Sequence, residues 1–125
     1  ISPSAIGQHA ALGALRAGAE LDRRVEAYAR NRRVLLEALP RMGLDRIAPP
    51  DGAFYVYADI DAFGLDATTF CARLRADTGV AITPGNDFDE CRGDRFVRLS
   101  FAGSAATIDQ AIERLGDWLE RLKQA

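Results

Sequence analysis

At 125 residues, with 48% hydrophobic and 27% charged side chains, the chain has the size and composition of one globular domain and not of a disordered or fibrous segment. A formal net charge of −2 gives no support to nucleic-acid or anionic-lipid binding, and no apolar run approaches the roughly 18–20 residues of a membrane span. One His and two Cys, Cys71 and Cys91, are too few for a zinc cage or a disulfide scaffold, so no metal site and two reduced thiols are expected.

The start Ile1-Ser2-Pro3-Ser4 has no initiator Met, basic n-region or signal h-region, and reads as the beginning of a piece cut from a longer chain. Ser2-Pro3-Ser4 can open a helix with Pro in its first turn. That helix covers Ala5 to about Ala17, is Ala-rich, and carries Ile6, Leu12 and Leu15 on more than one face, with Gly18 as its stop. Apolar surface of that spread predicts a helix poorly buried within this chain or packed on another. In the second helix Leu21, Val25, Tyr28, Leu35, Leu36 and Leu39 recur at helical spacing between arginines, and Pro40 and Gly43 end it.

The texture then changes. Leu44 to Ala48 reads as a short strand, Pro49-Pro50-Asp51-Gly52 as a turn, and Phe54 to Ile60, aromatic and β-branched, as a strand. Asp66 is a sound N-cap for a helix ending near Gly79. Val80 to Thr83 is a short strand closed by Pro84-Gly85, followed by a polar loop from Asn86 to Asp94. In Arg95 to Phe101, residues alternate: Phe96, Arg98 and Ser100 share one face, and Val97, Leu99 and Phe101 the other. Ser104 caps a final amphipathic helix with Ile108, Ile112, Leu115, Trp118 and Leu119 on one side. The expected fold is α+β: a two-layer small domain, its short mixed or antiparallel sheet covered by helices on one face and preceded by a long helix.

Arg98 stands out. A guanidinium inside an otherwise apolar strand needs an anionic partner, a cleft or a solvated edge. In a cleft it would be a fork for a carboxylate, gripped by two parallel hydrogen bonds. In Thr83-Pro84-Gly85-Asn86-Asp87-Phe88 a strand end breaks into a turn in which Pro fixes φ and Gly permits close backbone approach, most often an ordinary loop. His9 pairs with no nucleophile in sequence. Asp59 and Asp61 flank a strand end and read as a solvated loop, and the arginines of the second helix as its wet side. Any chemistry that needs a reactive lysine has one candidate, Lys123, the sole lysine beside 15 arginines.

Taken together, Gly52-Ala53-Phe54-Tyr55, the run from Gly79-Val80 through Pro84-Gly85 to Phe88, and Val97-Arg98-Leu99-Ser100-Phe101-Ala102 resemble the C-terminal, small domain of class I/II, fold-type I, pyridoxal-phosphate aminotransferases, in their aspartate-aminotransferase-like branch. The segment Ser4 to Ala11 and the last helix extend the similarity over essentially the whole chain.

The resemblance implies an enzyme that moves an amino group from an amino acid to a 2-oxo acid. It makes Arg98 the substrate-binding arginine that grips the α-carboxylate, and places Pro84, Gly85 and Phe88 at the active-site loop. It makes residues 1–18 an interdomain helix and 19–125 the small domain. The cofactor would be pyridoxal 5'-phosphate, bound by the missing upstream large domain that carries the Schiff-base lysine. This segment would hold no catalytic and no cofactor-binding residue and would be inactive alone. Expected partners are the amino acid, the 2-oxo acid, the large domain and a second subunit in a homodimer, with no nucleic acid and no membrane, in the cytoplasm. Asp89, where a Gly is common after the Phe, and the added Cys91-Arg92 depart from the family pattern. The alternative is a stand-alone, non-catalytic α+β module that binds a small molecule or a protein.

Overall fold

The computed structural model describes residues 2–124. Ile1 and Ala125, the two ends of the expected 1–125 unit, lie outside the described residues. Helix α1 (Ala5–Leu15) is capped by Ser4, whose hydroxyl accepts the Gly7 amide at 3.0 Å. Pro3 therefore lies before the cap and not in the first turn. No residue of α1 is buried: Ile6 is 83% and Leu15 80% exposed. Gly18 does not stop this helix but opens the next, α2 (Gly18–Arg41).

Helix α2 falls into two stretches. Leu21 and Val25, on the predicted apolar stripe, are exposed because this chain places nothing over them. From Asn31 onward the stripe is covered, and Leu35 and Leu39 are buried. Pro40 sits inside the last turn and does not end the helix. The chain leaves α2 only after Met42, at Gly43, whose φ of +94° is left-handed backbone that favours glycine. Two of the arginines expected on the wet side are cross-links instead. Arg30 donates both guanidinium ends to Asp109 (3.0 and 2.9 Å), and Arg32 donates to the Pro50 carbonyl at 2.8 Å.

Four strands follow: β1 (Ile47–Ala48), β2 (Tyr55–Asp59), β3 (Thr83–Pro84) and β4 (Phe96–Ser100). They form one sheet in the order β1-β2-β4-β3, antiparallel at every pairing. The β3 strand is displaced from the expected Val80–Thr83, because only Thr83 and Pro84 reach β4. Pro84, with no N–H to donate, is tolerated there because β3 is an edge. Helix α3 (Ala67–Thr78) is capped by Asp66, which accepts the Thr69 amide and hydroxyl, and ends at left-handed Gly79. Helix α4 (Ala105–Lys123) is capped by Ser104.

The register assigns the faces of the sheet. Val56 and Ala58 of β2 with Ile60 just after it, and Val97 and Leu99 of β4 with Phe101 just after it, are buried with Leu35, Leu39, Phe70, Leu74, Leu115, Trp118 and Leu119 of the helices. Phe70 is the centre of this layer, its ring edge-on to Trp118 at 5.0 Å and to Phe63 at 5.9 Å. Burial of one large aromatic is worth about 1.5–3 kcal/mol, so this cluster is the main source of stability. Asn31 is the one fully buried amide on α2, and its Nδ2 donates to the carbonyls of Phe101 and Gly103, tying the helix to the end of β4. The sheet is thus helix-covered on one face and uncovered by helices on the other.

Candidate functional site: an arginine in an aromatic cavity

On the uncovered face, antiparallel pairing sets Tyr57 and Thr83 directly opposite Arg98, and Tyr55 opposite Ser100. Side chains opposite one another share a face. Tyr55, Tyr57 and Arg98 therefore converge with Phe88 and Asp89 of the following loop on a cavity of about 320 Å³. The Arg98 guanidinium carbon lies 4.4 Å from the Phe88 ring centre and 5.4 Å from that of Tyr55. Contacts of this kind attract a cation to the ring face and hold it in place. One end, Nη2, donates to Thr83 Oγ1 at 3.3 Å. Nε is buried with no hydrogen-bond partner, and among the described residues no carboxylate pairs with Arg98. An unmatched guanidinium in a cavity open to solvent can take a carboxylate in a planar, two-bond grip.

The loop is shaped by two turns locked together. Residues 85–87 and 93–95 each form a single 3-10 turn, and they pack on one another. A Cβ on Gly85 would lie 2.5 Å from the Gly93 carbonyl oxygen and from the Tyr57 hydroxyl, and 2.7 Å from the Phe96 carbonyl oxygen. A Cβ on Gly93 would meet the Asn86 amide nitrogen at 2.5 Å. Only glycine fits at either place, and this contact fixes where Phe88 leaves the turn. Tyr57 stacks on Phe96 at 4.9 Å with rings 6° from parallel, and its hydroxyl is buried without a partner. Burial, and next the nearby Asp89 charge, push that hydroxyl's pKa up. Asp89 accepts the Cys91 and Arg92 amides at 2.9 and 3.1 Å, and those amides hold its carboxyl below the usual carboxylate range.

Of the residues the sequence singled out, Arg98 and Phe88 are brought together in the cavity wall. Gly85 lies beneath as a packing point. Pro84 pairs with Val97, whose side chain turns to the helix side, and does not line the cavity. Tyr57 and Gly93 were not singled out, and Tyr55 and Thr83 stood only within longer runs, with no role at a site. Period-2 alternation in Phe54–Ile60 marks the two tyrosines as sharing a face, but only the pairing of β2 with β4 shows that this face carries Arg98. Asp59 corrects the reading of a solvated loop. It is buried, accepts a hydrogen bond from Arg95 at 2.9 Å and forms an ion pair with Arg46 at 3.4 Å, and its Oδ1 accepts the Asp61 amide at 2.8 Å. This pins the start of β4. His9 is exposed on α1, far along the chain from any of these groups.

Lys123 Nζ donates to the Met42 carbonyl at 2.7 Å and sits 5.5 Å from the Phe63 ring centre. It closes the end of α2 on the helix side of the sheet, so it does not face Arg98. Lys123 is not among the residues that line the Arg98 cavity. Among the described residues no group of three His, Cys, Asp or Glu side chains could hold a metal ion, and no helix is long and apolar enough to cross a membrane.

Fold and site together define a small α+β domain with one arginine, unpaired with any carboxylate among the described residues, in an aromatic cavity. Comparison with known proteins narrows this further. A sequence model of the family described as aminotransferase class I and II matches residues 1–115. A valine–pyruvate aminotransferase of Mycobacterium tuberculosis is 53% identical over 121 residues, 95% of this chain and 31% of that protein. An aspartate/prephenate aminotransferase of Thermus thermophilus is 40% identical over 126 residues, 96% of this chain and 31% of that protein. The crystal structure of a putative aminotransferase from Silicibacter pomeroyi superposes with a TM-score of 0.87 at 46% identity, over 90% of this chain and 30% of that one. The chain belongs to the class I and II aminotransferases, of fold-type I and aspartate-aminotransferase-like. It spans about a third of the length of the curated relatives it matches.

Proposed function

We propose that residues 1–125 are the C-terminal small domain of a longer aminotransferase that moves an amino group from an amino acid to a 2-oxo acid, and that Arg98 binds the substrate α-carboxylate. In this reading residues 1–18 bridge to a large domain and 19–125 form the small domain. Pyridoxal 5'-phosphate is held by the large domain, outside this segment, and the whole assembles as a homodimer in the cytoplasm. The observation that carries the reading is the unmatched Arg98 on a strand, facing an open aromatic cavity, in a chain of this family.

The work of this segment is binding and orientation. A carboxylate in the fork of Arg98 is fixed in direction as well as in place, because a planar donor pair accepts a planar acceptor in one plane. Phe88 and Tyr55 against the guanidinium limit its swing, and Thr83 holds one end. Orientation of this kind lowers a barrier by prepaid entropy and not by charge transfer. Pro84 and Gly85 serve by fixing the loop that carries Phe88.

The test is kcat/KM of the full-length protein for two chemically different amino donors. Arg98→Lys keeps the charge but loses the fork. It should lower kcat/KM for both by roughly ten- to hundredfold, the equivalent of about 1.5–3 kcal/mol. Arg98→Ala should lower it further, equally for both donors, with an unchanged melting temperature. Full activity with a sharp fall in melting temperature would make Arg98 a structural residue. Full activity of residues 1–125 alone would overturn the assignment of the cofactor site to another part of the protein.

A further inference from the structure

The cavity around Arg98 holds a second charge of opposite sign, that of Asp89. We infer that Asp89 is a specificity-determining residue that turns the site against amino acids with an acidic side chain and toward those with an uncharged one. This rests on the aminotransferase reading above and names its substrate class.

Four observations carry it. Asp89 lines the same cavity as Arg98, with Tyr55, Tyr57 and Phe88 as the remaining walls. Its carboxylate is fixed in place, since Oδ1 accepts two successive backbone amides, those of Cys91 and Arg92. The same amides keep it ionised at neutral pH. Its charge is felt across the cavity, where it disfavours ionisation of the Tyr57 hydroxyl. The neighbouring cation, Arg92, acts on the same hydroxyl in the opposite sense but by less; its Nε is 3.6 Å from Asp89 Oδ2 and its side chain 76% exposed, so it offsets only part of that charge.

A substrate with one carboxylate satisfies Arg98 and leaves three aromatic walls for its side chain. A substrate with two carboxylates satisfies Arg98 with one and, on the side of the site that this segment forms, meets aromatic rings and a fixed like charge, with no second cation among the described lining residues. Specificity then comes from a repulsive element as much as from an attractive one.

The experiment uses the full-length, cofactor-loaded protein and compares aspartate with leucine as amino donor. Asp89→Asn keeps an oxygen for the Cys91 and Arg92 amides and removes the charge. The ratio of kcat/KM for aspartate to that for leucine should rise by about tenfold, the scale of one like-charge contact near a protein surface. A melting curve verifies that the variant is folded. A second measurement needs no variant: in the wild type the same ratio should rise with salt, because added ions screen the repulsion. An unchanged ratio in folded Asp89→Asn, or a wild-type ratio indifferent to salt, overturns the inference while leaving the aminotransferase reading intact. If Arg92 instead reads a side-chain carboxylate, Arg92→Ala will lower the ratio and Asp89→Asn will not raise it, which also overturns it. A protein that transaminates neither donor overturns both readings.

Discussion

The two faces of the four-stranded sheet are made from the same strands and differ in almost everything else. On the helix side, β2 and β4 and the residues that directly follow them contribute Val56, Ala58, Ile60, Val97, Leu99 and Phe101, all buried and all apolar. On the other side stand Tyr55, Tyr57, Phe96, Arg98 and Ser100, aromatic, charged or polar and partly or fully open, with the ion-paired Asp59 buried at the end of β2. One face stabilises the fold by taking apolar surface out of water. The other retains polar groups, the Tyr57 hydroxyl and Arg98 Nε, that are unmatched in the chain itself. Unmatched groups of this kind are expensive for stability and belong where a ligand completes them. The division of labour is readable from which groups are left without partners.

The largest expected effect falls on the helix side. Phe70→Ala removes the ring that Phe63 and Trp118 meet edge-on and should cost about 3–5 kcal/mol in urea unfolding. If Arg98→Ala destabilises as much as Phe70→Ala, the two faces are not divided in the way described.

Gly85→Ala tests the join between them. Its added carbon would lie 2.5 Å from the Gly93 carbonyl oxygen and 2.7 Å from that of Phe96, and backbone cannot step aside cheaply. The cost should be about 1–3 kcal/mol, with weaker carboxylate binding because Phe88 leaves from the same turn. A stability loss with unchanged KM would show that the position of Phe88 does not depend on the turn.

The smallest effect concerns the two thiols. Cys71 faces the core, and burial pushes its pKa up to about 11, whereas Cys91 is exposed on the loop. Alkylation at neutral pH should label Cys91 and spare Cys71. With rising pH the unfolded thiol ionises first while the folded one keeps its proton, so stability is lost between pH 9 and about 11. The stability of wild type relative to Cys71→Ala should fall over that window. A flat difference would mean that Cys71 is better solvated than its place in the core implies.

The helix side was largely legible in the sequence, because burial imposes period: 2 in β4, and 3 or 4 in α2 and α4. The α1–α2 boundary was not, since Gly18 can end one helix or begin another and local propensity does not choose. Nor was the exposure of Leu21 and Val25, whose spacing is that of a buried stripe. On the open face Arg98 was legible as a charge that breaks an apolar alternation. Its aromatic surroundings were not, because Tyr55 and Tyr57 lie more than 40 positions away and meet it only through a register that sequence does not state. Gly93 has no local signature at all. Its need for glycine arises from Gly85, eight residues earlier.

Helix α2 is one rod of 24 residues, about 36 Å long at 1.5 Å per residue, and only its second half is inside the body. It is a lever with its fulcrum at Asn31. The outer arm carries Leu21 and Val25 in the open. The inner arm is bolted, through the Asn31 amide, to the carbonyls of Phe101 and Gly103, three and five residues past Arg98. No glycine interrupts the rod between Gly18 and Arg41, so a tilt imposed on the outer arm is delivered to the end of β4 without an intervening joint. Whatever seats itself on Leu21 and Val25 is thereby geared to the strand that carries the arginine.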